Sequence, residues 1–195
     1  MRMSIGLFVF PDMEMLDYAG PYQVFTTASR LSFDGTDSSL FNLVSIGTSL
    51  DPVRVRGGAV ITPNATIDDH PELSCLIIPG GRLGIDVQVT DEAVCKWIAA
   101  QADSVPIIAS VCTGAFLLAQ TGLLDDVEAI THIDHIADLR LQYPAVRVVE
   151  HRRWVDSGHI VTAAGLSAGI DMALHLVERL RNRDLSVATA RTLEL

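Results

Sequence analysis

Cys112, Thr113, Asp17 and the pair Gly80-Gly81 are the residues of this 195-residue chain whose types and settings suit covalent catalysis. Cys112 follows an apolar run, "VPIIASV" at 105–111, and precedes a helix-like stretch, "GAFLLAQTG" at 114–122. A thiol at a strand-to-helix turn stands on a nucleophile elbow. Backbone amides and the positive helix end there can stabilise a thiolate and lower its pKa. Cys75, inside an apolar strand, and Cys95, midway along an amphipathic helix, read as structural cysteines.

A nucleophile needs a proton partner and a place for developing charge. Thr113 rather than a histidine follows the cysteine, so no adjacent Cys-His pair exists. Asp17 lies beyond the first apolar strand, and burial beside a thiol would raise its pKa into the range of a neutral-pH acid. Capping of the following helix is its bland alternative. In "IIPGG", Gly80 and Gly81 carry no side chain to block a ligand, so a backbone N–H can face an anion. The Thr113 N–H is the candidate second donor. A plain turn after a core strand explains the same glycines.

The elements that must position these residues follow from the hydrophobic pattern. Apolar strands are expected over 3–10, 40–48, 74–78 and 105–111, with a hairpin over 52–63 turning at Gly57-Gly58. Helices are expected over 22–32, with Tyr22, Phe25 and Leu31 inward, from Thr90 over 90–103, and over 114–122. A mostly helical stretch over 130–144, two strands around the Asp-Ser-Gly turn within 146–165, and a helix over 166–183 complete the core. In that last helix Ile170, Leu174, Val177 and Leu180 recur at helical spacing. One more helix suits 184–195, and a loop suits 33–39. Alternation of buried strands with helices implies an α/β fold with a mainly parallel sheet covered on both faces. Sites in such folds form beyond the carboxyl ends of the strands, where Asp17, Gly80-Gly81 and Cys112 could meet.

Composition narrows the class. At 49% hydrophobic and 19% charged residues the chain is globular, and residues 1–195 suit a single domain. A formal net charge of −10 repels polyphosphate, so no nucleic acid is expected to bind this chain alone, and "HRRW" at 151–154 suits an exposed hairpin. Three cysteines without a secretory signal argue against a disulfide framework, and the six histidines form no metal-ligand pattern. No metal and no cofactor are therefore expected. No apolar run approaches the ~20 residues of a membrane span. The N-terminal "MRMSIGLFVFPDMEMLD" suits a first core strand better than a signal peptide, which makes a cytoplasmic location the default.

Five segments in order, "LDYAGPYQVF", "LIIPGG", "SVCTGAFLLAQTGLLD", "ITH" and "IVTAAGLSAGIDMALHLVERL", resemble the ThiJ/PfpI superfamily, related to class I glutamine amidotransferases. The resemblance runs from about residue 4 to residue 182. It implies a flavodoxin-like three-layer sandwich with a cysteine nucleophile elbow. The "VCTGAFLLA" form resembles two branches, isonitrile hydratases and the ligand-sensing domains of AraC-type regulators. The hydratase branch implies a Cys112 nucleophile, an essential acid at Asp17, a supporting role for Thr113 and a small-molecule substrate. His132 matches a histidine that lines the pocket in many members. Asp126 stands in place of a common glycine and Ile133 in place of a common aromatic, which implies a different pocket wall. Thr113 after the cysteine speaks against protease activity. The sensor branch implies ligand binding without turnover, and a third reading makes Cys112 a peroxide sensor. No helix-turn-helix follows residue 182, so DNA binding is not expected within this chain. The resemblance also implies a homodimer, and Met13, Met15 and Leu16 together suggest an apolar contact patch beside the site.

Overall fold

The computed structural model describes residues 2–32, 40–81 and 91–195. Its elements in chain order are β1 Met3–Phe8, α1 Met15–Leu31, β2 Phe41–Gly47, β3 Val53–Arg54, β4 Val60–Ile61, β5 Ala65–Thr66 and β6 Cys75–Ile78. Then come α2 Glu92–Gln101, β7 Ile108–Val111, α3 Gly114–Gln120, β8 Glu128–Ala129, α4 Ile136–Gln142 and β9 Arg147–Val148. The chain continues with β10 Trp154–Asp156, β11 Ile160–Ala163, α5 Ser167–Leu180 and α6 Arg183–Thr192.

A seven-stranded sheet runs in the order β10-β11-β7-β6-β1-β2-β5. Only β10, antiparallel to β11, breaks its parallel direction. Helices α1, α5 and α6 pack on one another in one layer, with α2 and α3 in the other. This is the expected flavodoxin-like sandwich. Strands β6 and β7 are buried at every residue because helices cover both faces, so their sequences show no alternation. From β1 the chain builds outward to β2 and β5, then returns to lay β6, β7 and β11 on the other side. Connections diverge at that reversal, which opens a crevice beyond the strand ends. Register brings the ends together: Leu7 lies beside Ile77, Ile78 beside Ser110, and Val111 beside Ala163.

Several element boundaries differ from the expected ones. Helix α1 starts at Met15, not at 22, and runs through Pro21. Gly20-Pro21 carries a breaker signature, but burial of Tyr18, Pro21, Val24 and Phe25 against the sheet outweighs it, while Leu31 ends up exposed. In α5 the fully buried stripe is Ala168, Met172, Ala173, Leu176 and Val177, so Ile170, Leu174 and Leu180 lie at its edge. Short β9 pairs with β8 and is separate from the β10–β11 hairpin. The 52–63 hairpin forms as β3–β4, with Gly57 and Gly58 both at positive φ. The expected loop at 33–39 and the Thr90 helix start lie outside the described residues, and α2 is capped by Asp91, which accepts from the Ala93 N–H. Met13 is fully buried and pairs with Gly81, so it leaves the expected surface patch.

Gly114 shows how tightly the first residue of α3 seats on β6. A Cβ there would stand 2.2 Å from the Ile78 carbonyl oxygen and 2.9 Å from that of Pro79. Backbone cannot swing aside as a side chain can, so Gly114→Ala is expected to cost ~3 kcal/mol or more. Urea denaturation with an unchanged m-value checks this; a loss under ~1 kcal/mol would show that the turn yields.

Candidate active site

Cys112 leaves β7 with φ 56°, a left-handed conformation that is costly for any residue with a Cβ. The backbone is held in it from two sides. Its N–H donates to the Ala163 carbonyl at 3.0 Å, and its carbonyl accepts the buried Thr131 hydroxyl at 2.9 Å. Such strain is stable only where the surroundings over-determine it. The thiol thus projects from the end of β7, 8% exposed. Leu166, at φ 48°, is a second strained residue at the same site.

Asp17 lies in the first turn of α1, with no solvent exposure. It is not the helix cap; Glu14 holds that position. One carboxyl oxygen accepts the Leu166 N–H at 2.9 Å and the other the Gly80 N–H at 3.1 Å. Burial nevertheless pushes its pKa up to about 6, against the lowering effect of those two amides. The Cys112 side chain stands beside this carboxyl: a Cβ on Gly80 would meet both, the carboxyl oxygen at 2.7 Å and the Cys112 Cβ at 2.8 Å.

The thiol departs from expectation. Burial first, and then the charge of Asp17, push Cys112 up to about 12. The Thr113 N–H, which faces the sulfur, lowers it by less. The helix end is therefore not the deciding influence; desolvation and a neighbouring carboxylate are. Sulfur and carboxyl form a pair with one proton between them at neutral pH, and it rests on sulfur.

The two glycines also act differently from an open oxyanion hole. Gly80 gives its N–H to Asp17, and a Cβ on it would stand 2.7 Å from that carboxyl and 2.8 Å from the Cys112 Cβ. Gly81 gives its N–H to the Thr113 hydroxyl at 2.9 Å, and that hydroxyl donates back to the Gly81 carbonyl at 3.0 Å. Both glycine donors are consumed within the protein, which leaves the Thr113 N–H facing the sulfur. Thr113→Val removes both Gly81 bonds and is expected to cost ~1–3 kcal/mol, while Thr113→Ser restores them. Thermal melts of the two variants compare these outcomes; equal melting would detach the hydroxyl from the site's framing.

Cys112, Thr113, Gly81 and His132 line one cavity of about 510 Å³, together with Glu14, Arg56, Asp134, His135 and Leu166. Gly80 stays behind it. His132 approaches Gly165 closely: a Cβ there would meet the ring at 2.9 Å and the Cys112 sulfur at 3.3 Å, so only glycine lets both near. Glu14 and Arg56 form an ion pair of 3.5 Å on the cavity wall. Thr131, Leu166, Arg56 and His135 have no local signal in the sequence, because topology alone brings them here. No cluster of three metal-binding side chains exists among the described residues. No helix among them is long and apolar enough to cross a membrane.

A family model described as the DJ-1/PfpI family matches residues 3–179. The chain is 32% identical to an isonitrile hydratase of Pseudomonas putida, over all of this chain and 78% of that protein. It is 31% identical to the HTH-type transcriptional regulator GbdR of Pseudomonas aeruginosa, over 95% of this chain and 48% of that protein. It thus spans about half the length of that regulator. Among solved structures, a ThiJ/PfpI family protein from Pseudomonas syringae is 26% identical and superposes with a TM-score of 0.82, covering all of this chain and 75% of that one.

Proposed function

Because the chain belongs to the DJ-1/PfpI family, we propose that it is a cysteine-dependent enzyme hydrating isonitriles to N-substituted formamides. One observation carries the reading: a cavity-lining thiol beside a buried carboxyl that two amides hold in place. An isonitrile carbon must receive a nucleophile and a proton together, and this pair delivers both. Asp17 takes the thiol proton as sulfur attacks the terminal carbon of R–N≡C, then gives that proton to the same carbon. The product is the thioimidate R–N=CH–S–Cys112. Water then adds to its carbon, and collapse expels the thiol and releases R–NH–CHO. Thr113 steadies sulfur through its N–H, and His132 lines the wall beside the reacting carbon. Thiol attack and proton transfer need neither metal nor cofactor.

Incubation with small alkyl isonitriles tests the reading. Formamide should accumulate well beyond one equivalent of enzyme, and acid-quenched protein should carry substrate mass on the peptide holding Cys112. Absence of both would overturn it. The near-equal identity to GbdR favours a second reading, a sensor of small molecules. Saturable binding by calorimetry without any product would select that one.

The enzyme also works as a homodimer paired across α1. Met15 and Leu16 are 36% and 40% exposed there, beside a groove lined by Ala19, Val24, Ile170, Leu193 and Leu195. Light scattering should give about twice 21.1 kDa, falling to one chain for Met15→Asp with Leu16→Asp. A monomeric mass for the unaltered protein would remove the dimer.

A further inference from the structure

Hydrolysis of the thioimidate draws its water from the open cavity. Asp17, which serves the loading step from the protein side, has no solvent exposure. Water entering the cavity meets the sulfur first, so the base must stand on the cavity side. Two histidines stand there, with ring centroids 6.1 Å apart, and their neighbours give them opposite proton arrangements. His132 Nδ1 accepts the Asp134 N–H at 3.3 Å, so its neutral ring carries the proton on Nε2 and can only donate. His135 Nδ1 lies 3.0 Å from the Asp138 carboxylate, which can only accept, so Nδ1 carries the proton and Nε2 keeps its lone pair. Phe116 meets the His135 ring edge-on at 6.3 Å and fixes its plane. A carboxylate behind an imidazole fixes its tautomer and the orientation of its ring. The cavity's carboxylates are weaker candidates: Glu14 is paired with Arg56, and the Asp134 side chain is 77% exposed.

Resting on the hydration reading above, we infer that His135, oriented by Asp138, is the base that activates water against the Cys112 thioimidate, with His132 holding the imidate nitrogen by a hydrogen bond. Nε2 of His135 takes a proton from water as the oxygen bonds to carbon, and that proton passes to the imidate nitrogen. In collapse, His135 takes the remaining hydroxyl proton, the C–S bond breaks with its electrons going to sulfur, and the proton returns to the thiolate. One water is consumed, the formamide leaves, and the thiol and Asp17 carboxylate are restored. His135 is thus a catalytic residue of the second half-reaction, and Asp138 a positioning residue.

Rapid mixing with n-butyl isonitrile, read by intact mass and by formamide release, separates the two halves. The unaltered enzyme should turn over repeatedly with little adduct. His135→Gln should load Cys112 at an unchanged rate, which also shows that it is folded, and then hydrolyse ~10²-fold more slowly or worse, so that adduct accumulates to one equivalent. Asp138→Asn should show the same pattern more weakly, and imidazole should speed release in His135→Gly. If the unaltered enzyme neither loads nor turns over, the hydration reading falls and this role falls with it. Should it turn over while both His135→Gln and Asp138→Asn release product at the normal rate, or should loading slow and release stay normal, the His135 role alone is overturned.

Discussion

Cys112→Ala is expected to reduce formamide production to the uncatalysed background and to leave no covalent adduct, because no other side chain at the cavity offers a polarisable nucleophile. Cys112→Ser keeps the shape and a hydrogen-bonding group, yet an alcohol is far harder to deprotonate than a thiol. It should retain less than about a hundredth of the activity, since the carboxyl beside it is too weak a base to activate serine. Both variants keep a Cβ at φ 56°, so backbone strain is unchanged. Each should melt within a few degrees of the unaltered protein, with the small lost volume costing ~1 kcal/mol. Cys112→Gly is the informative third member. Glycine adopts that φ freely, so relief of strain of ~1 kcal/mol should offset the missing side chain. Activity measured beside melting temperature separates chemistry from folding. Retained turnover in Cys112→Ala would remove the cysteine from the mechanism, and a collapsed melt in both Ala and Ser variants would recast it as a packing residue. Cys75, fully buried and pushed up to about 12 by that burial, offers no alternative nucleophile.

The elbow was legible because its signal is local. A continuous apolar strand, one thiol, then a glycine that opens a helix fix the position of Cys112 whatever else the fold does. Two mainly buried strands that end near other short polar segments predict a shared mouth, and Asp17 does stand below it. The start of α1 was not legible, since Gly20-Pro21 argues locally for a break and only burial against the sheet argues otherwise. For the same reason a helix cap stayed open as the alternative role for Asp17. Glycines at 80 and 81 predicted free amides, but whether an N–H is free depends on acceptors 32 and 63 residues away, Thr113 and Asp17. Leu166, 149 residues from Asp17 in sequence, supplies the other half of the carboxyl's clamp, a pairing no local pattern carries. The raised thiol has the same origin: a helix end is visible in sequence, but the depth of burial that outweighs it is not.

Asp17→Asn is expected to lower turnover by ~10²–10⁴-fold and to change how both activity and stability respond to pH. The carboxyl accepts two N–H groups, one on each oxygen. An amide has one oxygen, so its NH₂ must face a backbone N–H, at a cost of ~1–3 kcal/mol. Activity also loses the group that receives the thiol proton. In the unaltered enzyme, the reactive arrangement is thiolate beside carboxylic acid, which holds the same number of protons as thiol beside carboxylate. Its share is therefore independent of pH between the two titrations of the pair, near 6 and near 12. Below about 6 the pair gains a second proton and the arrangement is lost. The rate of Cys112 loading in a single turnover should accordingly rise tenfold per pH unit up to about 6 and then stay level past pH 9. Stability runs the other way. The folded-state pKa of Asp17 lies above the ordinary carboxyl value of 3.8, so the protonated form is favoured by folding, and its contribution is whole below pH 4 and lost as pH rises through 6. A shift from 3.8 to about 6 corresponds to ~3 kcal/mol across that window. Melting of the unaltered protein should fall from this source between pH 4 and 7, and the Asn variant should lack that component. A loading rate that instead climbs through pH 8 to 9 would mean that bulk solvent deprotonates the thiol, and Asp17 would lose its place as the proton's acceptor.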